Sequence, residues 1–395
     1  MMLIQCHQLT FRQFFISSHI VSPGKLNFSS SRVFYSGILL FFLAIIFAMP
    51  LKAEPVFLIN QMPGRLVSVG THKLHIYCLG EGSPTVVIDS GLGGFSLEWT
   101  TVQKRLAEKT KVCTYDRAGY GWSQAGPEPR TTEQIAHELH RLLINAEIPG
   151  PYILVGHSFG GYNIRYFASL YPEAVAGLVL VDASHPDQFN RLPKPDTREE
   201  NDKSPKNISM NRLIPVIPTN YPEELKQEAY LLMASRKAVH TYEEEWENFR
   251  ESAEEVNRMN HLPDVPLTVI SRGKRVWPHN PYGDKSEIVW SQMQDELAGL
   301  TSQSVHLIAS KSGHQVHLDE PELVIGAIES TTENAEKNEK LRIAKLQQEK
   351  KLYEKTMLLV SNNYLRSAAN SYVNPIFGVS SRTDNIHHAS FLMSY

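Results

Sequence analysis

One short segment constrains the fold of this chain more than any other, because it places a serine between two glycines directly after an apolar run. The run covers residues 152–155, and residues 156–160 then read Gly-His-Ser-Phe-Gly. This G-x-S-x-G spacing is typical of a tight turn from a strand into a helix. Such a turn needs residues without a β-carbon around the serine, and Gly156 and Gly160 meet that need. The sequence therefore predicts a strand, a strained turn at Ser158 and a helix.

The same alternation of short apolar runs and helical segments continues on both sides of this turn. Strands are predicted at 65–69, 73–79, 85–89, 111–115, 152–155, 177–181, 266–271 and 304–308, the first two forming a hairpin. Helices are predicted at 96–109, 132–146, 159–171, 285–300 and 320–330. β-Branched runs that alternate with helices indicate an α/β fold, with a mostly parallel central sheet covered by helices on both faces.

The alternation of strands and helices predicts one large domain within the 395 residues, with an insertion and a C-terminal extension. We expect the sheet domain at 60–330, interrupted by an insertion at 184–262 that is rich in Pro, Glu, Lys and Asn. Helical stretches at 223–240 and 242–260 predict that this insertion is a helical cap. Residues 331–360 are dominated by Lys, Glu and Gln, so the region 331–395 is expected to form a solvated helix followed by a disordered tail.

The first 53 residues carry four basic side chains and no acidic one, and they contain an uncharged run at 37–49. A short apolar run after basic residues is typical of a signal peptide, with cleavage expected near Ala53. Counted over 33–51, the uncharged stretch is long enough to span a bilayer if it is not cleaved. We therefore expect an exported protein, periplasmic or secreted, or one that associates with the membrane through residues 33–51.

Composition excludes several classes of function. A hydrophobic fraction of 42% and a charged fraction of 21% are those of an ordinary globular protein, and a net charge of −3 gives no sign of nucleic-acid binding. Cys6 lies in the leader, while Cys78 and Cys113 lie in predicted strands, where they could be reduced and buried or joined in a disulfide. No C-x-x-C or H-E-x-x-H spacing indicates a metal, so neither a metal nor an organic cofactor is expected.

A serine nucleophile needs a histidine base that accepts its proton. His314 follows the last predicted strand, in a loop at the carboxyl end of the sheet, where the turn at Ser158 also opens. Gly313 frees this position to turn inward. His317, three residues further on, is the nearest rival. His314 is therefore the predicted base.

Two carboxylates compete as the residue that orients this histidine. Asp182 ends the strand at 177–181, and Asp284 lies in the loop after the strand at 266–271. Both give the chain order Ser, Asp, His. Residues 271–276 read Ser-Arg-Gly-Lys-Arg-Val and offer no carboxylate near the strand end. We favour Asp182, although a strand-end Asp can also simply cap a turn.

Acyl transfer also needs N–H donors for a tetrahedral oxyanion. The predicted donors are Phe159, directly after the serine, and Leu92, in the glycine-rich stretch 90–94. That stretch lacks the spacing of a nucleotide-binding loop. Nearby, Asp116 and Arg117 are expected to form a structural pair. Trp99 and Trp122 are expected in the core or the wall of a pocket.

Taken in order, residues 89–94, 115–121, 156–160 and 313–314 resemble the α/β-hydrolase superfamily over about residues 60–330, and specifically its cap-bearing serine hydrolases. The resemblance implies that Ser158 is the nucleophile of a cofactor-free hydrolase of small-molecule acyl esters. It departs from the common pattern because no Asp follows the seventh strand, but some relatives carry the acid after the sixth strand, which Asp182 matches. In that fold the strands carrying Cys78 and Cys113 are neighbours, which favours a disulfide.

Other activities remain open under this resemblance. An aminopeptidase or a thioesterase would use the same residues as an esterase. Haloalkane dehalogenases and epoxide hydrolases of the superfamily use an Asp nucleophile, so Ser158 argues against both. A further hypothesis is a binding or signalling module on the same fold, whose triad has no catalytic role.

Overall fold

The computed structural model describes residues 62–194, 217–259 and 261–377, with side chains up to residue 368. The expected signal peptide or anchor at 1–53 lies outside the described residues, as do part of the cap insertion and the end of the chain. Among the described residues, no helix has both the length and the apolar character that crossing a bilayer requires.

An eight-stranded sheet forms the centre of the described structure. Its strands are β1 Arg65–Ser68, β2 Lys73–Leu79, β3 Thr85–Asp89, β4 Val112–Tyr115, β5 Tyr152–His157, β6 Val175–Val181, β7 Leu267–Arg272 and β8 Ser304–Ala309. Their order is β1-β2-β4-β3-β5-β6-β7-β8. β2 runs antiparallel to β1 and β4, and all the other neighbours are parallel. The predicted hairpin and the mostly parallel sheet are confirmed.

Helices cover both faces of the sheet, as the alternation predicts. They are α1 Thr100–Leu106, α2 Thr132–Asn145, α3 Gly160–Leu170, α4 Gln188–Arg191, α5 Lys226–Met233, α6 Arg236–Glu247, α7 Phe249–Arg258, α8 Pro281–Leu297, α9 Val316–Asp319 and α10 Pro321–Phe377. Short 3₁₀ turns add Ser96–Trp99, Pro172–Ala174 and Glu223–Leu225.

Strand β5 shows how the sheet separates two apolar cores. Its Leu154 packs into the cluster formed with α2, α3 and α8. Its Ile153 and Val155 pack into the other cluster, with α1, α9 and the start of α10. Successive side chains of a strand point to opposite faces, so a strand covered on both sides reads as a continuous apolar run. This is why residues 152–155 of β5 form a continuous apolar run.

The cap breaks into shorter helices than the sequence suggests. The stretch 223–240 is divided between α5 and α6, because the Ser235 side chain accepts a hydrogen bond from the Ala238 N–H and starts a new helix there. A second break lies at Asn248, between α6 and α7. From α7, Phe249, Ala253 and Val256 join an apolar cluster with Phe159, next to Ser158.

Helix α10 is 57 residues long and differs most from the prediction. It passes residue 331 without a break and ends at Phe377. It therefore includes residues 361–377, where the sequence predicts a disordered tail. Val324 and Ile328 anchor its beginning in the core, whereas the side chains of residues 337–367 are mostly exposed. No glycine or proline occurs between residues 327 and 374, so nothing local terminates the helix.

Cys78 and Cys113 form a disulfide. The two residues lie directly opposite each other in the antiparallel pair β2 and β4. The two strands are therefore neighbours, as the resemblance implies, and the disulfide that it favours is present.

Candidate active site

Ser158 occupies a strained turn between β5 and α3. Its φ is 50°, a left-handed value that residues other than glycine seldom adopt. A β-carbon on Gly156 would lie 2.6 Å from the Gly160 carbonyl oxygen, and one on Gly160 would lie 2.4 Å from the Asp89 carbonyl oxygen. The two glycines are thus required by close backbone packing, and the predicted strand, turn and helix are present.

Asp182 and His314 meet at the carboxyl end of the sheet. The His314 Nδ1 and the Asp182 Oδ2 are 2.6 Å apart, and a carboxylate at this position accepts the Nδ1 proton. Asp182 directly follows β6 with a φ of 39°, another strained value in a residue that is fully buried. The His314 side chain is 26% exposed, so its ring is reachable from solvent.

Three further groups hold the Asp182 carboxylate. The Trp290 Nε1 donates to Oδ1 at 2.9 Å, the Arg272 guanidinium donates to Oδ2 at 2.9 Å, and the Arg272 N–H donates to Oδ1 at 3.2 Å. Burial alone would raise the pKa of Asp182, but the charge of Arg272 and the hydrogen bonds from His314 and Trp290 outweigh it and lower that pKa. Asp182 is therefore an anion that can orient the imidazole.

Asp284, the other candidate acid, lies elsewhere. It is in the first turn of α8, where its side chain is 61% exposed and pairs with Arg275 at 2.6 Å. The structure thus brings Asp182 to His314 and leaves Asp284 on the surface.

The loop of His314 packs against the turn that holds Ser158. The His157 Nε2 donates to the His314 carbonyl oxygen at 2.9 Å, and the two rings lie 4.7 Å apart between centroids. Burial and the neighbouring His314 lower the pKa of His157 to about 3, so this ring is neutral. His157 therefore connects the segment before Ser158 to the segment of His314.

His317, the rival base, is buried beneath this contact. Its ring stacks on Trp99 with centroids 4.2 Å apart and lies 4.6 Å from the ring of His157. Burial lowers the pKa of His317 well below its usual value. The nearby Glu98 is 3.8 Å away and has a pKa that burial raises to about 7. His317 does not contact Asp182, so it does not take the place of His314.

Arg117 shapes the loop that carries Leu92. Its guanidinium donates to the carbonyl oxygens of Ser90 at 2.6 Å and Gly91 at 2.8 Å. In a trans peptide the C=O and the next N–H point in opposite directions, so this contact directs the Leu92 N–H away from Arg117. Leu92 packs against the apolar cluster that contains Phe159. The two predicted oxyanion donors therefore belong to adjacent segments.

Asp116 and Arg117 are not paired with each other, so that prediction is wrong. Asp116 pairs with His75 at 2.9 Å. Arg117 instead lies between Asp89 at 2.8 Å and Glu245 of α6 at 2.8 Å. Neighbours along an irregular loop point in different directions, and each has found its own buried partner. Glu245 was missed because a glutamate in a highly charged helix looks like an ordinary surface residue.

The two tryptophans near this loop have structural positions. Trp99 is fully buried, and its Nε1 donates to the Ser90 Oγ at 3.1 Å. Trp122 is half-buried, with its ring 4.8 Å from the ring of His75. Trp99 is thus a core residue, as expected.

The sheet order, the strained serine turn and the Asp–His pair at the strand ends define a protein with the α/β-hydrolase fold. The family model of that fold matches residues 84–321, and the chain belongs to this family of hydrolases.

The chain is also similar to individual proteins and solved structures. The chain is 28% identical over 250 residues to the uncharacterized protein YqjL of Bacillus subtilis, a match that covers 63% of this chain and 83% of YqjL. It is 36% identical over 136 residues to the "Probable transporter efuK" of Hormonema carpetanum, covering 32% of this chain but only 20% of that protein. Among solved structures, an epoxide hydrolase of Vigna radiata matches with a TM-score of 0.51 and 16% identity, covering 69% of this chain and 98% of that one. At this identity the last similarity concerns the fold alone.

Proposed function

We propose that this protein is a serine hydrolase that cleaves carboxylic esters through an acyl-enzyme on Ser158, with His314 as base and Asp182 as the residue that orients it. The observation that carries the proposal is the 2.6 Å contact between His314 Nδ1 and Asp182 Oδ2, beside a serine in a strained turn. Asp182 holds the proton on Nδ1, so the lone pair of His314 is on Nε2, where a base needs it.

In the proposed reaction, Ser158 Oγ attacks the ester carbonyl while His314 Nε2 accepts the hydroxyl proton. The oxyanion is stabilised by the N–H groups of Leu92 and Phe159. The same histidine then protonates the leaving alcohol and activates the water that releases the acid. These steps need no metal or organic cofactor.

The surroundings of Ser158 support an apolar small-molecule substrate. Phe159, Phe249 of the cap, Phe189 and Leu92 belong to one apolar cluster next to the turn. The ring centroids of Phe159 and Phe249 are 5.1 Å apart, so the cap packs directly beside the nucleophile. Leu92 and Phe189, the partly exposed residues among these four, put apolar surface near the serine, which favours an ester with an apolar acyl or alcohol group over a charged one.

A fluorophosphonate probe tests the proposal directly, because it reacts with activated serines. We expect the wild-type chain to be labelled at Ser158, and Ser158→Ala not to be labelled. Turnover of a panel of p-nitrophenyl acyl esters, acyl thioesters and aminoacyl amides then assigns the activity. Faster cleavage of aminoacyl amides or of thioesters would replace the esterase proposal with an aminopeptidase or a thioesterase. A folded chain without labelling would favour a binding module.

We also propose that the chain is exported. It is then either cleaved after the apolar segment or anchored in the membrane through residues 33–51. The charge pattern of the first 53 residues supports this, and so does the disulfide, since such bonds persist mainly in oxidising compartments. Fractionation of cells that produce the full chain, with mass spectrometry of its N-terminus, tests the proposal. A cytosolic chain with an intact N-terminus would contradict it.

A further inference from the structure

Three potential metal ligands outside the proposed triad converge in the interior next to Ser158. Glu98 lies in the 3₁₀ turn Ser96–Trp99, His157 ends β5, and His317 lies in α9. One ligand atom from each comes within 4.8 Å of the others. We call these residues the Glu98–His157–His317 cluster. They come from distant parts of the chain, so no short spacing in the sequence could indicate them.

The ligand atoms of this cluster have no hydrogen-bond partners within the described part of the chain. These atoms are Glu98 Oε1, His157 Nδ1 and both ring nitrogens of His317, all shielded from solvent. His157 and His317 are 2% and 1% exposed. Buried polar atoms are nearly always paired, so several unpaired atoms that face one another indicate a missing ligand.

Two glycines leave open the space beside these atoms. A β-carbon on Gly91 would lie 2.7 Å from His157 Nδ1, and one on Gly94 would lie 2.4 Å from Glu98 Oε1. Any larger residue would therefore press on a ligand atom. At these two positions the loop that carries Leu92 therefore approaches the cluster with backbone atoms alone.

The hydrogen bond of His157 determines which of its nitrogens is available. Its Nε2 donates to the His314 carbonyl oxygen at 2.9 Å, so the lone pair is on Nδ1, which faces the cluster. Histidines that bind metals commonly donate their other N–H to a carbonyl in this way, which sets both the tautomer and the ring orientation.

We propose that the Glu98–His157–His317 cluster binds a Zn²⁺ ion. Two imidazole nitrogens and one carboxylate oxygen form a donor set that suits Zn²⁺, with bonds of about 2.0–2.2 Å, and water completes the tetrahedron. The ion would connect three segments: the turn after the Leu92 loop, the strand before Ser158, and the helix after His314. Its role is to hold these segments together, and the site does not depend on the proposed ester hydrolysis.

A second group of possible ligands provides a matched control. Glu128, His240 and Glu244 also lie close enough to share an ion, but they are exposed or half-exposed on the surface. The His240 Nε2 already pairs with Glu128 at 2.9 Å. His240→Ala therefore removes a surface histidine without affecting the buried cluster.

The test measures zinc bound to the full chain. The purified protein is treated with a chelator, incubated with ZnCl₂, passed through a desalting column and analysed for zinc by mass spectrometry, with isothermal titration for affinity. His317→Phe retains the ring that stacks on Trp99 but has no ligand atom, and Glu98→Gln retains the shape of Glu98. We expect one Zn²⁺ per wild-type chain and per His240→Ala chain. Each cluster variant should bind Zn²⁺ at least about tenfold more weakly, because even the loss of a residue that contacts a metal ligand lowers metal affinity about tenfold or more.

The thermal midpoint gives a second readout, because an ion that binds only the folded state raises it. Zinc should raise the midpoint of the wild-type and His240→Ala proteins and leave those of the cluster variants unchanged. If one variant does not fold, the other decides. The proposal is overturned if the wild-type protein retains no zinc, if folded cluster variants retain it fully, or if only His240→Ala loses it. In the first case, buried water is the ligand of these atoms.

Discussion

Replacing Asp182 with asparagine tests which carboxylate orients His314. The amide of the introduced asparagine would present either a weaker acceptor or an N–H₂ group to Nδ1. In the second case the proton of His314 moves to Nε2, where the ring can no longer accept the proton of Ser158. The same change in other Ser-His-Asp triads lowers kcat by about 10⁴-fold, which corresponds to about 5.5 kcal/mol of transition-state stabilisation. We expect a loss of that size in kcat, with a small change in KM.

Stability changes in the same direction and must be measured separately. Arg272 is buried, with only 3% of its side chain exposed, and it would lose its closest charged partner. Glu287 at 3.2 Å remains as a second partner, so we expect a cost of about 3 kcal/mol, at the lower end for a broken buried pair. Urea unfolding followed by circular dichroism gives this value, and turnover is then compared at a temperature where both proteins are folded.

The matched control is Asp284→Asn. The Asp284 side chain is 61% exposed and pairs with the 25% exposed Arg275, so its loss should cost at most about 1 kcal/mol of stability. Its effect on kcat/KM should stay within about twofold, as for other surface changes. Hydrolysis of a p-nitrophenyl ester by the two variants is the assay. Equal, small losses in both, or a larger loss in Asp284→Asn, would refute the assignment of Asp182.

Three other predictions concern the framework of the site. Glu245→Ala leaves Asp89 as the remaining ion-pair partner of Arg117 and should lower the free energy of unfolding by about 3 kcal/mol in urea titrations. A loss under about 1 kcal/mol would show that this pair does not hold the cap. Gly160→Ala should greatly destabilise the chain, because its β-carbon would lie 2.4 Å from a carbonyl oxygen. Gly326→Ala, in an open position of α10, should stabilise the chain by up to about 1 kcal/mol. Similar thermal midpoints for the two variants would contradict this prediction. Removing the disulfide by serine substitution should cost about 3–4 kcal/mol, from the separation of 35 residues, and an unchanged urea midpoint would argue against the bond.

The sheet could be predicted from the sequence because its signals are local. The bounds of β2 and β3 coincide with the predicted runs, and the others differ by a few residues at most. Strands β3 to β8 are short runs that each contain at least two β-branched residues, and β1 and β2 are alternating runs joined by a short turn, so each signal lies within or next to its strand. The G-x-S-x-G spacing around Ser158 is also a local signal, and Gly156 is required by the nearby Gly160 carbonyl oxygen, whereas Gly160 is required by the Asp89 carbonyl oxygen at the end of β3.

The partners of buried charged residues could not be predicted in the same way. Arg117 finds one partner on β3 and another on α6, and only the assembled fold brings those residues together. The same holds for the Glu98–His157–His317 cluster, whose members lie on three separate elements. The length of α10 was missed for a different reason. Its amphipathic pattern fades where it leaves the domain, and most of its helical structure has no core to pack against.

The structure explains why the acid of the proposed triad, Asp182, follows β6 and not β7. Strands β6 and β7 are parallel neighbours, with Val181 paired to Ile270, so a carboxylate after either strand starts from the same edge of the sheet. Here the carboxylate follows β6, and Arg272 ends β7, where it donates to Asp182 from both its backbone N–H and its guanidinium. The end of β7 therefore has a different role here. It carries Arg272 in place of a carboxylate, and Arg272 positions Asp182 and lowers its pKa. An aspartate in place of Arg272 would remove the cation that lowers the pKa of Asp182 and add a like charge that raises it, so an ionised acid at both strand ends is disfavoured.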